Sequence, residues 1–315
     1  MKRILTVTVN PAVDMSTSVR QVLEGSKLRC SAAEQEPGGG GINVSRALHK
    51  LGGQSRAVYV SGGIYGQLLE RLLDSEGIDQ QPYRISSAIR QNIMVRERSS
   101  DRQYRFGMPG PKLEEGEWRG FLETIFDEHP QTEFLVASGS LPPGVPEDFY
   151  ARLCARAAER NIRVVVDTAG RPLQLAAAAG AYLVKPNLRE LEHIAGRKIE
   201  EEQQQKELAR EIIREQDTQV VLLSLGASGA LLVSEEVTRR IPAPVVPIRS
   251  RVGAGDSMVA GLVLALAQGR GLEEAAVYGV AAGSAAVMTP GSELCRLEDT
   301  ERIFRRMSAE PGGKR

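Results

Sequence analysis

The run Arg251-Val252-Gly253-Ala254-Gly255-Asp256-Ser257-Met258 holds the sharpest chemical content of this 315-residue chain. It leads directly into an apolar stripe, Val259, Leu262, Val263 and Leu266, at helical spacing. Gly253 and Gly255 let successive backbone N–H groups converge at a helix N-terminus. Orphan donors and the helix dipole hold an anion there. Asp256 falls in the first turn, beside any negative charge so held. A carboxylate in that place is unhelpful for binding alone. It makes sense as a general base that takes a hydroxyl proton while the hole steadies a phosphoryl group in transfer. The structural alternative is a helix with an Asp cap behind a glycine turn.

Three further runs could join it. Pro37-Gly38-Gly39-Gly40-Gly41-Ile42-Asn43 opens a helix striped by Val44, Ala47, Leu48 and Leu51 and stopped by Gly52-Gly53. Its glycines permit close approach of a ligand, and Asn43 supplies a donor and an acceptor. Val184-Lys185-Pro186-Asn187-Leu188-Arg189-Glu190 places Asn187 and Glu190 three residues apart at a helix start. That pair suits hard oxygen ligation or water held by Mg2+. It suits a capping box equally well. Ser224-Leu225-Gly226-Ala227-Ser228-Gly229 follows a buried strand, a sharp turn where a ligand could pass close to backbone.

Composition removes other classes. Forty Lys and Arg balance forty Asp and Glu, so no basic excess draws nucleic acid, and an anionic ligand must be met by a few placed cations. Cys30, Cys154 and Cys295, like His49, His129 and His193, have no metal-ligand spacing and are expected in packed or surface positions. No apolar run is long enough to span a bilayer and no signal peptide is legible, which reads as a cytoplasmic protein without a membrane partner. P-loop, dinucleotide-binding, protein-kinase, G-x-S-x-G and zinc motifs are all missing from the sequence.

The elements that must position these runs alternate. Arg3–Val9, Ala57–Ser61, Phe134–Ser138, Val164–Val166, Tyr182–Val184 and Val220–Ser224 read as buried strands with helices between them. This is an α/β fold of three layers, a mostly parallel sheet with helices on both faces. Residues 13–35 and 89–108 break the rhythm with polar, alternating sequence. Arg90–Glu97, a turn at Ser99–Asp101 and Gln103–Phe106 read as a hairpin, so these two segments are expected to form a small antiparallel β lid rather than surface loops. The main domain is then 1–12, 36–88 and 109–308, and 309–315 a disordered tail.

In combination, PGGGGINVSRALHKLGG near the start and VGAGDSMVAGL near the end resemble the two signatures of the ribokinase-like carbohydrate kinase family. The resemblance runs from the first strand to about Phe304. Asn10–Asp14, Ser138–Gly144 and the KPNxxE stretch are similar to the branch that phosphorylates phosphosugars. GGGG, Gly279–Ala286 and Leu294-Cys295 resemble its minor-type 6-phosphofructokinases. The resemblance implies ATP-dependent phosphorylation of fructose 6-phosphate at C1. Tagatose 6-phosphate and fructose 1-phosphate kinases are the sister readings, and a non-catalytic binder of sugar phosphate or nucleotide is the reading from another class.

Site by site, the resemblance implies that Asp256 is the base and that Gly253, Ala254 and Gly255 form the anion hole. Asp14, Gly39 and Asn43 would hold sugar hydroxyls, and Lys27, Arg90 and Arg105, with Ser138, the sugar phosphate. Lys185 and Asn187 would meet the ATP phosphates, with Glu190 organising Mg2+ through water. Ser224, Gly226, Gly229, Val280 and Ser284 would line the nucleoside. Carbonyls of Ser250 and Val252 would hold K+ near the closing loop 286–293. Pro290 and Glu293 depart from the relatives' pattern there and leave K+ use open. The lid would pair two copies in a homodimer, with Lys27 reaching across.

Overall fold

Short runs of Val, Ile and Leu alternate with amphipathic helices along the computed structural model, which describes residues 3–127, 131–199 and 201–309. In chain order the strands are β1 (Arg3–Thr8), β2 (Ala12–Val19), β3 (Glu34–Gly38), β4 (Ser55–Ser61), β5 (Asp79–Arg84), β6 (Arg90–Glu97) and β7 (Gln103–Phe106). They continue as β8 (Thr132–Ser138), β9 (Arg163–Asp167), β10 (Leu183–Val184), β11 (Val220–Ser224), β12 (Ala230–Ser234) and β13 (Thr238–Ile241). The helices are α1 (Gly40–Lys50), α2 (Gly63–Ser75), α3 (Glu115–Asp127), α4 (Phe149–Ala158) and α5 (Arg171–Ala178). After them come α6 (Leu188–Ala195), α7 (Glu202–Glu215), α8 (Ala254–Ala267), α9 (Leu272–Ala286) and α10 (Leu297–Ala309).

Nine strands form the large sheet in the order β13-β12-β11-β10-β9-β8-β1-β4-β5. Pairing is parallel from β5 to β11, and antiparallel only where β12 and β13 finish one edge. Side chains alternate across it. Leu5 and Val7 point into the core shared with α2 to α7, while Ile4 joins the core under α1, α8, α9 and α10. All six expected strands are present, five of them with ends moved by one or two residues. Strand β5, sequence Asp-Gln-Gln-Pro-Tyr-Arg, carries no apolar run. It is an edge strand, which tolerates Pro82 and polar faces.

Helix α8 departs from its expected single stripe. Every residue from Ser257 to Ala267 is buried, because α9 closes the side that a surface helix would leave wet. The two approach closely at Gly261, where a Cβ would lie 2.8 Å from that of Ala282. Ala309 still belongs to α10, and residues 310–315, with His129, lie outside the described residues. Cys30 is exposed and Cys154 and Cys295 are buried, as expected.

The second sheet runs β3-β2-β6-β7. Its outer pairs are antiparallel but β2 and β6 are parallel, so the lid is mixed rather than wholly antiparallel. A physical reason is visible in the path: β2 leaves the end of β1 and β6 follows β5, and both start from the same end of the large sheet. Pro37 and Gly38 belong to β3, so the glycine run is itself the junction between lid and helix α1.

Candidate active site

Four neighbouring strands bring one chemical group each to their C-terminal ends, the side where α/β sheets bind ligands. Ser138 closes β8, Asp167 closes β9, Lys185 follows β10 and Ser224 closes β11. Lys185 is buried, and its ammonium lies 3.1 Å from Asp167 Oδ1. Burial alone would lower its pKa. Asp167, then Glu190 and Asp256, outweigh that and hold it above its ordinary range.

Two helix N-termini face this row. Gly253 caps α8 in a left-handed conformation (φ 73°), which frees the first-turn N–H groups of Ala254 and Gly255. Gly39 caps α1 at φ 120°, and the Ile42 N–H donates to Thr8 Oγ1 (2.9 Å), locking that helix onto β1. Asn43 then reaches across, its Nδ2 donating to Asp256 Oδ2 at 2.9 Å. Protein surrounds Asp256 except where it opens on a cavity of 620 Å³, shared with Gly40, Ser138, Asp167 and Glu190. Burial, reinforced by the Asp167 charge, pushes its carboxyl up to about 7; Asn43 and Lys185 hold it from rising further. A Cβ on Gly255 would sit 3.7 Å from Lys185 Nζ, so the α8 N-terminus and the ammonium lie side by side.

The lid supplies a second group of residues. Asp14 on β2 accepts from Asn92 Nδ2 (2.8 Å), and Gly38 leaves room for its carboxylate. Burial raises the Asp14 pKa against Asn92 and Arg90. Arg90 is half-buried and donates to the carbonyls of Asn10 and Met108, both at 3.1 Å. Arg105 is exposed and lines, with Asp14, Asn92 and Val252, a smaller cavity of 240 Å³. A cleft of 680 Å³ at the opposite, N-terminal ends of β1, β4 and β5 holds none of these groups.

Other expected residues are placed differently. Lys27 stands exposed in the loop between β2 and β3, and lines neither of the cavities beside Asp14 and Asp256. Asn187 and Glu190 make the complete capping box, Asn187 Oδ1 accepting at 3.0 Å and Glu190 Oε2 at 2.8 Å. Glu190 nonetheless lines the 620 Å³ cavity, so the two sequence readings coexist. Ser224 N–H and Oγ both donate to the Pro186 carbonyl, which joins the two turns. Gly226 is open at φ 57°, whereas a Cβ on Gly229 would strike the Ile241 carbonyl, so Gly229 is required by packing. Val280 and Ser284 are buried in α9, the serine hydroxyl donating to the Val280 carbonyl at 2.8 Å. The Val287 carbonyl accepts from the Arg249 and Ser250 N–H groups, which fixes the Ser250–Val252 segment beside loop 286–293.

Sequence reasoning missed Asp167, Asn92 and Arg46. Asp167 had a legible signal, a lone acid ending the apolar run Val164–Val166. Asn92 and Arg46 had none, since Asn92 meets Asp14 and the Arg46 guanidinium is held by Glu76, partners distant in sequence.

The model of the pfkB family of carbohydrate kinases matches residues 8–299. The chain belongs to that family. The ATP-dependent 6-phosphofructokinase isozyme 2 of Escherichia coli K12 is 41% identical over 309 residues, 98% of this chain and 100% of its own. A structure of the E. coli phosphofructokinase-2 in complex with potassium has a TM-score of 0.94 at 41% identity, covering 98% of this chain and 100% of that one. Its complex with fructose-6-phosphate has a TM-score of 0.92 at 40% identity, with 98% and 100% covered. As a pfkB carbohydrate kinase, the chain is a phosphotransferase with a hydroxyl acceptor, and ATP-associated Mg2+ goes with that chemistry.

Proposed function

We propose that this kinase transfers the γ-phosphoryl group of ATP to the C1 hydroxyl of fructose 6-phosphate. The observation that carries the chemistry is Asp256 on the wall of the 620 Å³ cavity, poised near neutral pH beside the bare N-terminus of α8. The 41% identity with the E. coli isozyme, spread over 98% of this chain, supports the acceptor. Asp256 takes the C1 proton as that oxygen bonds to the γ-phosphorus, and the bond to the ADP oxygen breaks. The N–H groups of Ala254 and Gly255 and the Lys185 ammonium face the charge on the moving group. Asp14, Gly39 and Asn43 hold sugar hydroxyls, and Arg90, Arg105 and Ser138 bind the 6-phosphate.

No group of three His, Cys, Asp or Glu among the described residues could cage a metal by itself. Glu190 and Asp167 on the cavity wall fit Mg2+ that arrives on ATP and keeps its waters, where it neutralises phosphate charge. Carbonyl oxygens of Ser250 and Val252, on a segment tied to Val287, would hold K+. Ser224, Gly226 and Gly229 lie on the nucleoside side, with Val280 and Ser284 beneath.

The lid exposes Leu23, Phe106 and Met108, with relative exposures of 50%, 51% and 40%. Ile93 faces Phe106 across the β6–β7 pair, so they share one face. A second copy of this chain covering that face makes a homodimer and brings Lys27 to the neighbouring site. A turnover screen of ATP against fructose 6-phosphate, tagatose 6-phosphate and fructose 1-phosphate tests the acceptor. Fructose 6-phosphate should give the highest kcat/KM, and a higher value for either other sugar overturns the assignment.

A further inference from the structure

Arg46 lies on α1, one turn after Asn43, and is 2% exposed. Its Nε and Nη2 form two short bonds to Glu76, the residue that caps α2, at 2.7 and 2.6 Å. That pairing fixes the plane of the guanidinium and leaves Nη1 to point the other way. Nη1 faces the carbonyls of Pro37 (3.1 Å) and Ser292 (3.4 Å), and Asn43 Oδ1 at 3.5 Å. Arginine has only donors, so the Asn43 end that faces it must be the oxygen. The Nδ2 end is then turned to Asp256 Oδ2. Glu36 on the lid accepts from Ser292 Oγ (2.6 Å) and lies 3.9 Å from the same guanidinium. The Arg46 charge also reaches Asp14, whose ionised form it favours.

We infer that Arg46 is a positioning residue for the phosphoryl transfer: it fixes the amide of Asn43 so that an N–H, never the carbonyl oxygen, meets the base Asp256. An N–H toward the carboxylate favours its ionised form, and an oxygen there would favour the protonated one. Arg46 thereby sets the fraction of enzyme whose base is ready at neutral pH without touching substrate. The inference rests on the proposed role of Asp256.

The test is a pH titration of Arg46→Gln and Arg46→Lys against the parent enzyme, read two ways. Carboxyl 13C NMR of Asp-labelled enzyme, with Asp256 assigned through Asp256→Asn, follows the group without substrates. The profile of kcat/KM with ATP and fructose 6-phosphate follows turnover. Arg46→Gln should raise both midpoints by about one pH unit, with a loss approaching about tenfold below pH 6.5 that all but disappears by pH 9. Arg46→Lys retains a donor and should fall between parent and Gln. Should Arg46→Gln fail to fold, a smaller upward move in Arg46→Lys supports the inference, and an unmoved Asp256 midpoint in it overturns it. Equal losses at every pH with the parent's NMR midpoint likewise overturn it. An NMR midpoint that rises while turnover keeps the parent's pH profile upholds the positioning by Arg46 and refutes Asp256 as the base.

Discussion

Replacing Asp256 by Asn should stabilise the fold while disabling the enzyme, and the size of both effects follows from one carboxyl group. Its pKa rises from an ordinary 3.8 to about 7 on folding. At about 1.4 kcal/mol per pH unit, ionising the group inside the protein costs about 4 kcal/mol more than in the unfolded chain. Water in the cavity reaches its open side, which lowers the working figure to about 2–3 kcal/mol. The native state binds this proton more tightly than the unfolded state. Its contribution is therefore fully favourable below pH 3.8, is lost as pH rises toward 7, and stays lost above. The substituted asparagine keeps an oxygen that can accept from Asn43, and it never ionises. Urea unfolding at pH 8 should show the variant more stable by about 2–3 kcal/mol, with the gap closing below about pH 4.5. Turnover should fall by orders of magnitude while KM for ATP changes little, because the base acts only in the transition state. A variant no more stable than the parent at pH 8, or a gap independent of pH, refutes the electrostatic reasoning. Near-parental kcat removes Asp256 from the chemistry.

Three other outcomes are expected. Arg90→Met or Arg105→Met should raise KM for fructose 6-phosphate at least tenfold and KM for ATP much less in steady-state assays, since both stand on the lid beside Asp14. Gly253→Ala should lower stability by about 1–2 kcal/mol in thermal melts and cut kcat, because φ 73° disfavours a side chain and the new Cβ meets Leu294. Inactive Lys27→Ala and Asp256→Asn homodimers, dissociated and reassociated together, should regain activity if Lys27 serves the partner's site. Verified heterodimers without recovery sink that shared site.

Much of the fold was legible because buried parallel strands are written as unbroken Val, Ile and Leu runs, as in Val164–Val166 and Val220–Ser224. Edge strand β5 was not, since half of its surroundings are water and its sequence is polar. The two glycine-bearing helix starts were legible for a backbone reason: Gly39 and Gly253 hold positive φ angles that other residues rarely adopt. What escaped was pairwise. Asp167 matters because Lys185 lies beside it, and Arg46 because Asn43 and Glu76 bracket it. Single-residue patterns do not encode those meetings. Lys27 illustrates the same limit, for its place in the lid loop gives it no site within one chain.

The electrostatic design of the site follows from a chain with no net charge to spend. Two polyanions are to be brought together, yet the cations proposed to meet them are few and largely matched: Lys185 by Asp167 and Arg90 against Asp14, with the exposed Arg105 bonded to the neutral Gln103. A resting site so balanced does not pull Asp256 down to the range of an ordinary carboxylate, where it would be too weak a base to take a sugar proton. Burial and Asp167 push it up, Asn43 and Lys185 pull it back, and the result lies near neutral pH, where a base is both available and strong enough to act. Each phosphate that binds adds negative charge and moves the group further upward. On the proposed role of Asp256, the hydrogen bond from the Asn43 amide is therefore needed most when the site is full.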